Sequence, residues 1–534
     1  MKIRLGRIRS GALVTAIALM VAVIVAGCGG SSGGSSSGGG GTSGSGESEG
    51  KVKPGGTLQI ADLGEALTLD GNAVVENNSV HVVSQIVEPL FMTNSEGKLE
   101  PWLAKSMKAS PDFKTWTVTL REGVEFSNGK PMIAADVVFS LETARKSPVW
   151  GLLYEEIESV KETSSNTVVI TTTKPAVSLE SNLSLPFAGA IIPKNFGGES
   201  EEEFASKPIG TGPFMLASWK RGEALTLDKN PHYWKKGLPY LDKVVFHNVE
   251  DVNSRETQLR AGELDVIFSP DWSQISTLES DPSLHVGIFS LGPIDSLNLS
   301  QKSPIWKNPK VREAVDLAID REGIIKAALA GHGEPGGSWL APPLEYFDSS
   351  IKAPTQDIPK AKELLAEAVQ EEGLDPKLTL TLRAGDSYDA IAAQIIQANL
   401  EEAGFKVTLQ PLDESAQLAR QEAGDFDAVN YGPLTSDMVD PSELAAFWQV
   451  TNGLYTFDPP LEGEFAKIAA KASTATDDSE RRKLYYELQE RVADRNAEIV
   501  LDYRPYVWAM QSNVAGFEVN VTGDPSLREV GFTE

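Results

Sequence analysis

Residues 208–268 constrain the fold of this chain more than any other stretch. Phe214, Leu216 and Ser218 alternate with Met215, Ala217 and Trp219, the two-residue period of a half-buried strand. The polar turn Lys220-Arg221-Gly222 returns the chain through 223–229, where Leu225 and Leu227 share a face, so the pair reads as a hairpin. Asn230-Pro231 ends it, because proline brings no N–H to a ladder. Residues 243–248 alternate again. Asp251 is a candidate cap for a short helix ending at Gly262, and 264–268 is one more strand. Strand, hairpin, strand, helix and strand in succession predict the centre of a mixed sheet in an α/β protein, not a catalytic loop.

The chain of 534 residues is long enough for two or three domains with their own cores. Its first fifty residues belong to none of them. Lys2, Arg4, Arg7 and Arg9 form a basic segment, and 11–26 is an apolar run shorter than the ~20 residues of a stable span. Val25-Ala26-Gly27-Cys28 resembles a bacterial lipobox, which implies a signal peptide over 1–27 and lipid on the Cys28 sulfur. The alternative is an N-terminal transmembrane anchor. Residues 28–53 read as a Gly/Ser tether, since 29–50 offer no apolar groups against the entropy of ordering. Such a tether reaches roughly 25 Å. The net charge is −27, and −31 once the four basic residues of 1–27 are removed. That surface repels nucleic acid and anionic lipid headgroups, so neither is expected as a direct partner. A single cysteine excludes an internal disulfide.

Along the body, 57–60 and 116–120 read as strands, and Ala135-Asp136 opens a helix bearing Val137, Val138, Leu141 and Ala144 on one side. A strand at 167–173 leads back towards the central sheet. After Ser269, Asn308-Pro309 starts a helix with Val311, Ala314, Val315, Ala318 and Ile319 at helical spacing. A helix at 360–372 precedes strand 378–383, helix 388–403 and strand 406–410, a parallel unit with a right-handed crossover. Residues 426–431 and 499–503 are further strands, and 478–495 is an amphipathic helix.

Several blocks carry a resemblance. Gly210-Thr211-Gly212-Pro213-Phe214, Asn230-Pro231-His232-Tyr233-Trp234 and Ala261-Gly262-Glu263-Leu264-Asp265 resemble consecutive blocks of the extracellular solute-binding proteins of family 5, the substrate receptors of ABC importers. So do 103–142, the segment beginning Val311-Arg312-Glu313-Ala314-Val315, and 360–368. Taken singly, each glycine of Gly210-Thr211-Gly212 reads as a tight bend at positive φ; the ordered series carries the likeness. It implies a periplasmic-binding-protein-like type II fold, α/β, with two lobes joined by a two-segment hinge. Lobe I would span 54–285 and 505–534, with an extra subdomain inserted at about 81–178, and lobe II 286–504. Val514-Ala515-Gly516-Phe517 resembles the point of return to the first lobe.

The expected site is the loop 431–441, directly after a strand, where open sheets bind ligands. In peptide-binding relatives the acid three residues before an Asp-Pro holds the ligand's α-amino group, a position matched by Asp437. Ser436, Tyr431 and Asp440 accompany it as ligand-binding candidates, although Asp440 precedes Pro441 and is also suited to shaping the turn. Leu434 stands where those relatives carry an aromatic residue, and Arg383 lies near their carboxylate-binding arginine without a firm register; both departures put a dipeptide ligand in doubt. The plain reading of Asp437 is a helix cap or a solvated loop acid.

Other chemistry is not signalled. His81, His232, His247, His285 and His332 lack ligand spacing, so no metal is expected, and beyond the Gly/Ser tether no G-x-S-x-G elbow or cofactor motif is present. The expectation is a non-enzymatic, monomeric, lipid-anchored, extracytoplasmic receptor that passes a peptide or small polar solute to an ABC permease and its ATPases. The alternatives are an extracytoplasmic enzyme or signalling receptor on the same fold, or a receptor for a nickel chelate, opine or oligosaccharide.

Overall fold

The structure, a computed structural model, describes residues 52–533 apart from 75, 95, 290–291, 301, 385, 432–439 and 444–458. The readings made on 1–51, Cys28 included, fall outside those residues. So do Leu434, Ser436 and Asp437. Among the described residues no helix is long and apolar enough to cross a membrane.

The body is mixed α/β and is built on two large sheets. The first has seven strands in the order Leu284–Phe289, Tyr506–Gln511, Val266–Phe268, Thr57–Asp62, Lys243–Asn248, Ala224–Lys229 and Phe214–Lys220. The stretch 208–268 therefore supplies four of the seven strands, with Lys243–Asn248 and Val266–Phe268 next to the middle one, but not the middle strand itself. Its hairpin is the outer flank, and the middle strand is Thr57–Asp62, parallel to a neighbour on each side. Alternation marks a strand with one wet face, and Phe214–Lys220 is that strand at the sheet edge. In Thr57–Asp62, Leu58, Ile60 and Ala61 are wholly buried.

The second sheet has six strands in the order Glu334–Pro335, Ile499–Tyr503, Ile294–Leu299, Ala428–Tyr431, Lys377–Arg383 and Lys406–Leu412. The last three run parallel to one another, and Ser387–Ala403 is the crossover helix. Asp386 caps that helix by accepting from Asp389 N (3.0 Å), and Gly404 ends it at φ +109°. Helix Pro309–Ala318 is capped by Asn308 and buries Val311, Ala314, Val315 and Ala318 against the same layer. A third sheet, Ala104–Ala109, Thr115–Leu120, Thr167–Thr172 and Ile157–Ser164, stands apart in pairing. Strand Thr167–Thr172 belongs to it and does not rejoin the central sheet.

The chain passes between the two large sheets twice: from Phe289 to Ile294, and from Tyr503 to Tyr506. The passages touch, Arg504 N donating to Pro293 O at 3.1 Å. The chain is thus back in the first sheet by Tyr506, ahead of Val514–Ala515, which pairs instead with Gly531–Phe532.

The recurring sequence blocks meet at one buried carboxylate. Glu88 accepts from Trp102 Nε1 (2.8 Å), Thr211 Oγ1 (2.8 Å), Tyr233 OH (3.1 Å) and Trp234 Nε1 (2.9 Å). Burial raises its pKa against those four donors. Gly210 and Gly212 are required for a different reason than a bend. Neither has positive φ. A Cβ on Gly210 would lie 1.9 Å from Ile86 O, and one on Gly212 2.5 Å from Gln85 O. The helix Asn77–Ile86 lies hard against this segment, and only glycine leaves room for its backbone.

Candidate functional site

Parallel strands put their carboxyl ends on one edge, and both large sheets turn that edge towards the two passages. In the first sheet, Asp62, Asn248 and Phe268 end strands there, beside Phe289 and Tyr506, which pair across the ladder. In the second, Arg383, Leu412 and Tyr431 end strands where Ile294 begins one and Tyr503 ends one. Open α/β sheets bind ligands outside such carboxyl ends.

On the first-sheet side, the loop after Asp62 is held firmly yet presents apolar side chains. Glu65 accepts from Trp219 Nε1 (2.8 Å) and Gly222 N (2.9 Å), Arg221 donates to Ala66 O and Leu67 O, and Leu67 N donates to Ser79 Oγ (2.9 Å). Leu63 and Leu67 nevertheless stand 44% and 61% exposed. Below them His81 Nδ1 meets Asp62 Oδ2 at 2.6 Å, with its ring 4.6 Å from that of Phe268. A shallow groove opens between Asp62, Glu65, Asn78, Leu225, His247 and Asn248.

On the second-sheet side stands a buried network that sequence reasoning missed. Asp295 and Asp502 lie directly opposite across antiparallel strands, both essentially inaccessible. Arg504 Nε is 3.1 Å from Asp295 Oδ2, and Tyr388 OH donates to Asp502 Oδ2 at 2.5 Å. Arg383 Nη2 pairs with Asp386 Oδ2 (2.9 Å), while Asp389 accepts from Arg383 N (3.0 Å) and Asn430 Nδ2 (3.1 Å). Burial pushes Asp389 up to about 7 and Asp502 up to about 6. It also raises Asp295 well above the carboxylate range, with Arg504 opposing and Asp502 adding. For Asp386, burial is outweighed by Arg383 and Arg504, which hold it low. Facing carboxyls in low dielectric raise each other's proton affinity, and the Arg504 charge beside them opposes that rise. The signal in the sequence was an acid inside an apolar strand, Ile294-Asp295-Ser296-Leu297 and Val500-Leu501-Asp502-Tyr503.

Of the candidate residues in the loop, Tyr431 ends strand Ala428–Tyr431, its backbone paired with Ser296. Asp440 is buried and already engaged. Its Oδ1 takes Arg481 Nη2 (2.8 Å), Ser442 N (2.8 Å) and Ser442 Oγ (2.6 Å), as suits an acid that shapes the turn at Pro441. Next to it, Glu443 Oε1 accepts from Ser181 Oγ (2.9 Å), a contact between the loop base and the segment that follows the third sheet. Arg383 is committed to Asp386. His232 and His247 are hydrogen-bonded, to Glu125 (2.9 Å) and Gln59 (2.7 Å). Among the described residues no cluster of His, Cys, Asp and Glu could hold a metal ion.

Comparison with known proteins places this geometry in context. Residues 98–455 match the family described as bacterial extracellular solute-binding proteins, family 5 Middle. The oligopeptide-binding protein AppA of Bacillus subtilis (strain 168) is 26% identical, the match covering 97% of this chain and 98% of AppA. The nickel-binding periplasmic protein of Escherichia coli (strain K12) is 28% identical, over 80% of this chain and 85% of that protein. The solved structure of the periplasmic binding protein DppA from Helicobacter pylori, in complex with the peptide STSA, superposes with a TM-score of 0.80 at 26% identity, over 90% of this chain and 99% of that one.

Proposed function

Since the chain belongs to the family 5 bacterial extracellular solute-binding proteins, we propose that it is the lipid-anchored substrate receptor of an ABC importer, taking a peptide or similar polar solute into the cleft between its lobes. Members of the family are extracytoplasmic binding components of transporters. What supports a capture role here is a single observation: the carboxyl edges of both large sheets turn to the same pair of touching passages. A ligand lodged between those edges contacts both lobes at once and so favours the closed arrangement of an open–closed equilibrium.

In this reading lobe I comprises 54–285 with 505–534, lobe II comprises 286–504, and the protein works as a monomer tethered through Cys28. Asp437, with Ser436 and Tyr431, supplies the polar end of the site, Leu434 lies on the same loop, and Leu63 and Leu67 offer apolar surface to ligand side chains. The oligopeptide-binding relative makes a peptide the first candidate, and the nickel-binding relative adds a metal chelate. The absence of an aromatic residue at Leu434 and the commitment of Arg383 to Asp386 argue against a recognition scheme tuned to dipeptides.

Asp437 provides the test. A carboxylate in a closed cleft makes charge-assisted hydrogen bonds to an ammonium. Removing it from such a pair costs on the order of 2–5 kcal/mol, about 30-fold or more in Kd. Calorimetric titration of Asp437→Asn should show that loss for a free-amine peptide and little for its N-acetylated form. Equal losses for both would assign Asp437 to the loop and move the ligand class towards uncharged solutes.

A further inference from the structure

In a chain of net charge −27, three cations crowd around two indoles on one face of the first lobe. The Lys235 Nζ lies 3.5 Å from the centre of the Trp102 ring, and the Arg528 guanidinium 4.7 Å from the same ring. Arg121 and Lys235 lie 5.3 and 5.4 Å from the ring of Trp234. The two indoles meet edge-on at 5.4 Å, and both are pinned by their N–H groups to Glu88 beneath. The platform is therefore rigid, with its ring faces left for cations.

The cations outnumber the carboxylates within their reach, Glu529 and the buried Glu88. The Lys235 ammonium makes no hydrogen bond or ion pair among the described residues. Arg528 Nε is buried without a hydrogen-bond partner, and the acid paired with it, Glu529, is 59% exposed with its Oε1 3.9 Å away. Arg121 spends its Nε and Nη2 on the carbonyls of Trp102 and Pro101, which neutralise nothing. Glu88 already accepts four hydrogen bonds. Burial and then the nearby Arg528 push Lys235 down to about 8, with Glu529 and Glu88 opposing and Arg121 adding a little.

We propose that Lys235, Arg528 and Arg121 form a binding site for a phosphate group. An ammonium and guanidinium N–H groups brought to one pair of indoles from three separate segments suit the several oxygens of a tetrahedral anion. Free phosphate and a lipid headgroup both present that chemistry. The headgroup is favoured by position, because the chain enters the fold on the segments that carry these cations: Lys53 N donates to Phe532 O at 2.9 Å, four residues along the chain from Arg528, and Gly55 N to Tyr240 O at 2.7 Å, five from Lys235. That preference rests on the lipid-anchor reading above, whereas the phosphate site itself does not. The overall charge, which repels a membrane, makes a local cationic face the means of setting which side of the receptor meets the headgroups.

Two arms test it with the full chain. Calorimetric titration with inorganic phosphate at fixed ionic strength should give saturable one-site binding, weakened at least tenfold by Lys235→Gln with Arg528→Gln and kept by Lys235→Arg. Phosphate should also raise the pKa of the Lys235 amine, followed by NMR of reductively methylated protein. In the second arm, the Cys28→Ser chain should co-sediment with phosphatidylcholine vesicles containing phosphatidylglycerol, and lose that binding with the same double substitution. Saturable phosphate binding without vesicle binding supports the site with free phosphate as its occupant. Vesicle binding alone supports the headgroup. Binding in neither arm with an unmoved Lys235, or an equal loss on a remote Lys310→Gln control, overturns the proposal.

Discussion

Replacing Arg481 by methionine tests whether the segment at Asp440 hangs from a buried ion pair. Arg481 and Asp440 side chains are each only 8% exposed, and their atoms meet at 2.8 Å. Arg481 Nε also donates to Ala472 O (3.3 Å), and its guanidinium lies about as near the rings of Tyr346 (5.4 Å) and Tyr485 (5.5 Å). Arg481→Met strands a buried carboxylate, at a cost of about 3–5 kcal/mol. The two donors from Ser442 remain, which puts the expectation near the lower end. Asp440→Asn keeps the hydrogen-bonding shape and leaves the guanidinium its carbonyl and its rings, so about 1–3 kcal/mol is expected. The double variant removes both charges and should cost less than the two singles added, by roughly 2 kcal/mol of coupling. Urea unfolding of the four proteins, followed by tryptophan fluorescence, gives the cycle. Additivity of the singles within about 0.5 kcal/mol would show that the pair is screened and that the segment is anchored otherwise.

Gly210→Ala should destabilise the chain by about 3 kcal/mol, because its Cβ would stand 1.9 Å from Ile86 O; Gly222→Ala, at φ +75° in open space, should cost about 1 kcal/mol, and equal thermal shifts would return Gly210 to the role of a bend. Asp389 stays protonated in the fold up to about 7 against an ordinary value of 3.8, so the native state holds a proton that the unfolded chain has lost, and stability should fall as pH rises from about 4 through about 7. Asp389→Asn should flatten that part of the urea midpoint-against-pH curve, and an unchanged slope would assign the proton elsewhere. Cys28→Ala should release the protein from membranes into the soluble fraction, whereas retention after a carbonate wash would identify 11–26 as a true span.

Local pattern carried much of this architecture. Asp251 and Asn308 cap the helices they were expected to cap, and the strand–helix–strand unit at 377–412 follows from its periodicity. What escaped was set by partners distant in the chain. Thr57–Asp62 is the middle strand, yet its short run says nothing of the neighbours at 243–248 and 266–268 that bury it. Glu88 reads as a stray acid in an apolar run until Thr211, Tyr233 and Trp234 are folded onto it. Asp295 and Asp502 acquire meaning only from the cross-strand register that sets them face to face. The glycines of 210–212 were legible as special residues, but the reason lay in a helix more than a hundred positions upstream.

The touching passages between the sheets have a mechanical consequence. Two straps fixed at both ends and bonded side by side, Arg504 N to Pro293 O, bend readily about the axis that runs through both. They resist torsion, because twisting would stretch one strap against the other. Such a joint has a single soft degree of freedom, like a door on two pins. On the receptor reading proposed above, occupancy of the cleft would be converted into one angle, and a partner gripping both lobes would need to gauge only that aperture.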